Sequence, residues 1–392
     1  MLSLSSLLLP SLLLAGPCGP GRLDDRGGDP VLGQRVFVEA GCVRCHAVRG
    51  AGGRIGPDLG RRTRPSSYAE LAAAMWNHSP TMAEKMRELH LRRPTLEGDQ
   101  LADLISFLYF LNYFDEPGDV TAGRLLFREK GCISCHRAEG EGGDTGPALD
   151  GISRGASPLS IASSLWNHGP AMAAAVASSG MELPTFAGAE ILDLFAYLRS
   201  IGRRQGAPRF ESAGDPVRGE ELFTDKNCAA CHGVFADPGE ELAGPDLGRS
   251  ELRGSVTVIA GRMWNHWPQM ASRMEEVGME VPQLTAADLG DIFAFIYQAR
   301  FVGEPGDPVQ GRTVFEAKGC AVCHGADGEG GVGPALRPNL AGRGPEEVLQ
   351  AMWNHAPAMQ TKLEAKNLSW VELTPKELTD LTTFLAAGLP AD

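Results

Sequence analysis

Eight of the nine cysteines in this 392-residue chain fall into four Cys-x-x-Cys-His runs. They are Cys42-Cys45-His46, Cys132-Cys135-His136, Cys228-Cys231-His232 and Cys320-Cys323-His324. Residues three and four apart on a helical turn face the same way, so each run presents two thiols and an imidazole on one side. That arrangement suits a haem held by two thioether bonds, with the histidine reaching its iron, and the run is the known pattern for c-type haem attachment. Cys-x-x-Cys alone would also fit half of a zinc site or a thiol–disulfide pair. Zinc needs further ligands close by at similar spacing, and none appears, whereas the histidine recurs in all four copies.

The runs lie inside one repeating unit that must position them. Their first cysteines are 90, 96 and 92 residues apart. Nine residues before each stands a glycine (Gly33, Gly123, Gly219, Gly311), and four residues after that a phenylalanine (Phe37, Phe127, Phe223, Phe315). Ten to thirteen residues beyond each motif histidine comes the proline of a Gly-Pro-Asp/Ala-Leu string: Pro57, Pro147, Pro245 and Pro334. A Trp-Asn-His-x-Pro-x-Met string follows, over residues 76–82, 166–172, 264–270 and 353–359. Each unit closes on an apolar run at helical spacing, over 101–114, 191–201, 289–300 and 378–385.

Pro, Gly and Asp clusters, which break and cap helices, precede the units near residues 29, 116, 214 and 304. The spacing predicts helices over 33–41 and its counterparts, over Tyr68–Asn77, Leu159–Asn167, Val256–Asn265 and Glu346–Asn354, and over the closing runs. The repeated asparagine is expected to end its helix. Gly-rich stretches such as 50–53 and 328–331 are expected to be irregular, and alternating strand patterns are scarce. The expected fold class is therefore all-α, with four small tandem domains at 29–115, 116–211, 212–303 and 304–392 after a leading segment 1–28. The joints are short, so domains adjacent in sequence are expected to touch and to place their haems close enough for serial transfer.

These motifs resemble the class I c-type cytochromes, over nearly the whole chain as four successive modules. The resemblance implies four covalently bound haem c groups and a crossing of first and last helices through Gly-x-x-x-Phe. It would pair Phe37 with Tyr109 or Phe110, Phe127 with Tyr197, Phe223 with Phe295 or Tyr297, and Phe315 with Phe384. It also implies that Pro57, Pro147, Pro245 and Pro334 offer carbonyls to the free ring nitrogen of the ligating histidines, fixing the tautomer and tuning the iron. The implied iron ligands are His46/Met82, His136/Met172, His232/Met270 and His324/Met359. In this chain His78, His168, His266 and His355 replace a family glycine, so bis-histidine ligation is the rival. Met86, Met181, Met274 and Met279 read as core packing. Trp76, Trp166, Trp264 and Trp353 are expected to bury a face against the haem or the helix pair, with the indole N–H on a propionate or a carbonyl. Trp267 and Trp370 occur once each and read as ordinary packing.

Composition narrows the function. Forty-nine acidic against 36 basic residues, a net charge of −13, argue against nucleic-acid binding. The leucine-rich residues 1–15 are too short to span a bilayer and read as the apolar part of an export signal. Cys18 then stands in a context resembling a lipoprotein site, a candidate membrane anchor. With both axial positions filled by protein, each haem would exchange single electrons and bind no substrate. The expectation is an extracytoplasmic, periplasmic tetrahaem electron carrier, not an enzyme, passing electrons between redox proteins. The alternatives are a peroxidase-like haem enzyme with one site opened, and a subunit docked on a membrane oxidoreductase.

Overall fold

A computed structural model describes residues 28–60, 67–111, 113, 115, 117–202, 214–250, 252 and 254–389. The expected export signal and Cys18 lie outside the described residues. The protein is helical, and the only strands among the described residues are a two-residue pair, Ala47–Val48 against Ala51–Gly52, inside the first Gly-rich stretch. Module 1 comprises α1 (Pro30–Glu39), α2 (Tyr68–Glu88) and α3 (Gln100–Phe110), and module 2 comprises α4 (Val120–Glu129), α5 (Pro158–Ser179) and α6 (Glu190–Ile201). Module 3 comprises α7 (Pro216–Asp225), α8 (Val256–Glu276) and α9 (Ala286–Val302). Module 4 comprises α10 (Pro308–Ala317), the short α11 (Ala321–His324) and α12 (Arg337–Leu340), then α13 (Pro345–Ala365) and α14 (Pro375–Ala386).

Each first helix starts at an aspartate, Asp29, Asp119, Asp215 or Asp307, whose carboxylate accepts from two amides of the opening turn. The same four residues donate their backbone N–H to Asp103, Asp193, Asp291 and Asp380 on the closing helices, at 2.7–2.8 Å. The repeated glycine then crosses the closing helix at backbone contact. A Cβ at Gly33, Gly123, Gly219 or Gly311 would lie 1.9–2.1 Å from the carbonyl oxygen of that same aspartate. One turn further along, the phenylalanine meets its aromatic partner with ring centres 5.5–5.8 Å apart.

Three partners are as expected (Tyr197, Phe295, Phe384), but Phe37 packs on Phe107, not on Tyr109 or Phe110. The reason is helical phase. The partner stands four residues after the aspartate in every module, and Tyr109 at six residues turns away toward module 3. In module 4, Asp380→Ala removes a buried charged acceptor and is expected to cost about 2 kcal/mol, with Asp380→Asn costing less. Hydrogen exchange of the α10 amides reads this locally, because a four-module chain need not unfold in one step.

The long helices correct a second expectation. They do not end at the asparagine but continue through Pro80, Pro170, Pro268 and Pro357 for three further turns or so. An interior proline removes one amide and frees the carbonyl four residues back, here that of the tryptophan. In module 4 that carbonyl, of Trp353, accepts from Arg93 Nη2 of module 1 at 3.5 Å, while the guanidinium lies 3.8 Å over the Trp353 ring.

The asparagines have another use. Asn167 Nδ2 donates to Leu284 O at 2.8 Å and its Oδ1 accepts from Leu284 N at 2.9 Å, so module 2 grips the irregular segment before α9 of module 3. Asn265 does the reverse on Phe186, at 2.7 Å both ways. The tryptophans reinforce the grip: Trp166 Nε1 donates to Pro282 O and Trp264 Nε1 to Pro184 O, at 2.8 and 2.7 Å. Modules 1 and 4 are joined identically, through Asn77 on Leu373, Asn354 on Leu96, Trp76 on Val371 and Trp353 on Pro94. Trp267 stacks on Trp264 and Trp370 packs 4.5 Å from Trp76, so both pack at these interfaces.

An aromatic cluster joins module 1 to module 3. Tyr109 donates to Tyr297 O at 2.8 Å, and Tyr68, Tyr109 and Phe110 pack around Phe301. Module contacts therefore do not simply follow chain order, and one continuous apolar core runs through all four.

Candidate functional site

The attachment turn is set by a reversal of the chain. Gly41, Gly131, Asn227 and Gly319 take left-handed φ values of 61–79°, which stop the first helix and open the next turn. The amides of His46, His136, His232 and His324 then bond back to the carbonyl of the first cysteine at 2.9–3.0 Å. This closes one turn with both thiols and the imidazole on it. Burial pushes the thiols of Cys42, Cys132 and Cys228 up to about 11, and that of Cys320 is raised for the same reason. None of the eight is in a disulfide.

The second string holds the histidine. Nδ1 of His46, His136, His232 and His324 lies 3.0 Å from the carbonyl oxygen of Pro57, Pro147, Pro245 and Pro334 respectively. With the proton of Nδ1 given to that carbonyl, Nε2 is left as a lone-pair donor. The glycine before each proline is required. A Cβ at Gly56, Gly146, Gly244 or Gly333 would sit 2.4–2.9 Å from the imidazole Cε1.

In module 2 these groups wall one side of a cavity of about 150 Å³, open to solvent, through Cys132, Cys135, His136, Gly146 and Pro147. The other side is α5 and the segment after it, with His168, Met172, Met181 and Pro184. Two thiols, an oriented imidazole and a facing helix with further donors are what a covalently attached haem requires. Among the described residues no cluster of three or more His, Cys, Asp or Glu is arranged to hold a bare metal ion.

A family model described as cytochrome c matches residues 30–111, 120–202, 216–300 and 308–388. The chain belongs to the cytochrome c family. No curated protein and no solved structure matches it. The four cysteine pairs thus carry four covalently attached haem c groups, and the protein is a multihaem c-type cytochrome of electron transfer.

The opposite wall holds all the rival ligands of module 2. Met172 and His168 are four residues apart on α5, hence on one face, and both reach the cavity. Met82, Met270 and Met359 are likewise half-buried against the core. The His136 and His168 rings lie with centres 6.4 Å apart and planes inclined at 60°, and those of His324 and His355 at 6.2 Å and 66°. Burial, and next the proximity of His46 and His324, lower the pKa of His78 and His355. Met181, expected as core packing, instead lines the cavity.

Trp166 does not wall this cavity. Of the two expected acceptors, a propionate or a carbonyl, the four indole N–H groups all take a carbonyl, and each lies in another module. The sequence held a signal for this that motif reading missed. Leu96, Phe186, Leu284 and Leu373, the grip points, each stand 19 residues after an Asn of the Trp-Asn-His string. The four helix-crossing aspartates were missed as well, though each lies four residues before its module's aromatic partner.

Proposed function

We propose that this cytochrome is an electron carrier in which four haems, in modules spanning 29–115, 116–211, 212–303 and 304–392, are each six-coordinate and exchange single electrons with other redox proteins. The observation that supports this reading most is the module 2 cavity, which His136 lines together with the candidate sixth ligands His168 and Met172 of α5. A centre closed on both sides has no position for oxygen, peroxide or an organic substrate. His46, His136, His232 and His324 would hold the iron from one side, and Met82, Met172, Met270 and Met359 from the other, the His/Met set that raises reduction potential.

One observation favours a second reading of the upper ligand. Imidazole–metal bonds of about 2.0 Å would separate two facing ring centres by roughly 6 Å, near the 6.2–6.4 Å seen for the His324–His355 and His136–His168 pairs. Near-infrared magnetic circular dichroism of the oxidised protein is the test, since His/Met and bis-histidine iron absorb in separate bands. His/Met bands are expected, lost one module at a time in Met172→Ala and its counterparts. Four bis-histidine bands would transfer the role to His78, His168, His266 and His355. Carbon monoxide added to the reduced protein is expected to leave its Soret band unchanged, and binding at one centre would indicate a haem enzyme instead.

The partners are proposed to be redox proteins outside the cytoplasm, in the periplasm, with an acidic surface steering a basic donor or acceptor. No helix among the described residues is long and apolar enough to cross a membrane. Attachment through Cys18 and docking on a membrane oxidoreductase belong to the same proposal, tested by mass spectrometry of the mature N-terminus.

A further inference from the structure

We infer that the Trp-Asn grips pair the redox centres by contact rather than by chain order, 1 with 4 and 2 with 3. The inference rests on the four-haem reading above. Six hydrogen bonds of Trp and Asn side chains join modules 2 and 3, and six join modules 1 and 4, each set made reciprocally by the same two residue types. These bonds do not run between remote surfaces. Pro184, whose carbonyl accepts from Trp264, is itself part of the module 2 cavity wall. Trp264 is on α8, the helix that carries His266 and Met270, the candidate upper ligands of module 3. A single hydrogen bond therefore separates the wall of one centre from the ligand helix of the next.

The return bond runs from Trp166 on α5, the helix that carries His168 and Met172, to Pro282 of module 3. Trp76 and Trp353 repeat both bonds between modules 1 and 4, whose motifs are the most distant in the chain. The step within a pair moves one electron from a ferrous to a ferric centre. No bond forms or breaks and no proton moves, so no co-reactant is needed. The aromatic cluster of Tyr109, Tyr297 and Phe301 then links the two pairs through modules 1 and 3, giving the contact order 4–1–3–2.

Asn77 and Asn354, and separately Asn167 and Asn265, are positioning residues under this inference. The test uses full-length holoprotein of Asn77→Ala/Asn354→Ala and of Asn167→Ala/Asn265→Ala. Soret circular dichroism of the reduced form reads coupled haem pairs, and pulse radiolysis reads redistribution of one added electron. Each double variant is expected to keep four haems by pyridine haemochrome, to lose one of two Soret couplets and to slow one phase of redistribution. An Asn77→Ala/Asn354→Ala protein with four haems and unaltered couplets and phases overturns the pairing, whatever the other variant does, because transfer in chain order never uses a 1–4 contact. If that variant does not load haem, Trp76→Phe/Trp353→Phe keeps an aromatic ring in place, removes the N–H donors with the second ring and is judged by the same outcomes. Fewer than four haems in the parent protein, or carbon monoxide binding to it, would instead defeat the four-centre reading and leave the pairing question separate.

Discussion

Replacing Cys132 and Cys135 by alanine is expected to yield a protein with three haems and an unfolded second module. The physical cause is size. A unit of fewer than 100 residues buries a limited core, and in module 2 that core is α4, α5 and α6 arranged around the cavity that the haem fills. Without the haem, an open cavity of about 150 Å³ faces Cys132, Met172 and Val176, and its apolar walls lose the close packing that interiors depend on. The damage spreads by a defined route. Trp264 and Asn265 of module 3 lose their acceptors at Pro184 and Phe186, and Leu284 loses Asn167. Limited trypsin digestion is the measurement. Cleavage is expected first in module 2, at sites such as Arg137 and Arg154, and then near α8 and α9, while modules 1 and 4 resist. A three-haem protein whose second module resists trypsin as the parent does would defeat this account.

Gly123→Ala is expected to destabilise module 2 by about 3 kcal/mol or more, in the range of severe overpacking. The added Cβ would lie 1.9 Å from Asp193 O and 2.8 Å from Tyr197 Cβ. One is backbone and the other the root of a side chain, so no rotamer change relieves the clash and α4 must lift off α6. Lifting strains the Asp119 N–Asp193 bond of 2.7 Å and the Phe127–Tyr197 contact of 5.6 Å together. The control is Gly151→Ala, where an added Cβ meets nothing within 4 Å and the change is expected within about 0.5 kcal/mol. Hydrogen exchange of the α4 and α6 amides should separate the two variants. Equal protection in both would mean that the crossing has slack that the static contact distances do not show.

Most of the chemistry was legible because it is local. Cys-x-x-Cys-His is a one-turn motif, so its geometry follows from covalent spacing, and the repeat period made the four units visible without any structure. Gly-x-x-x-Phe and Gly-Pro-x-Leu were visible as repeats, and the family resemblance implied their partners within each module. Phe37 shows the limit: the glycine was correct, but choosing among Phe107, Tyr109 and Phe110 needed the register of α3, which the Asp103 carbonyl sets. The helix end at asparagine was misread because Asn and a following Pro are ordinary stop signals. Here the asparagine side chain is used at long range, by backbone groups 79 to 296 residues away.

By itself, then, the sequence determined the cofactor chemistry, the number of centres and the all-α module, because each depends on residues within a few turns of one another. Tertiary structure alone decided which modules meet. The reason is physical: the acceptors at Pro94, Pro184, Pro282 and Val371 are backbone carbonyls, and every residue has one. A tryptophan N–H or an asparagine amide announces that it will find a partner when buried, and only the fold brings that partner from module 4 to module 1.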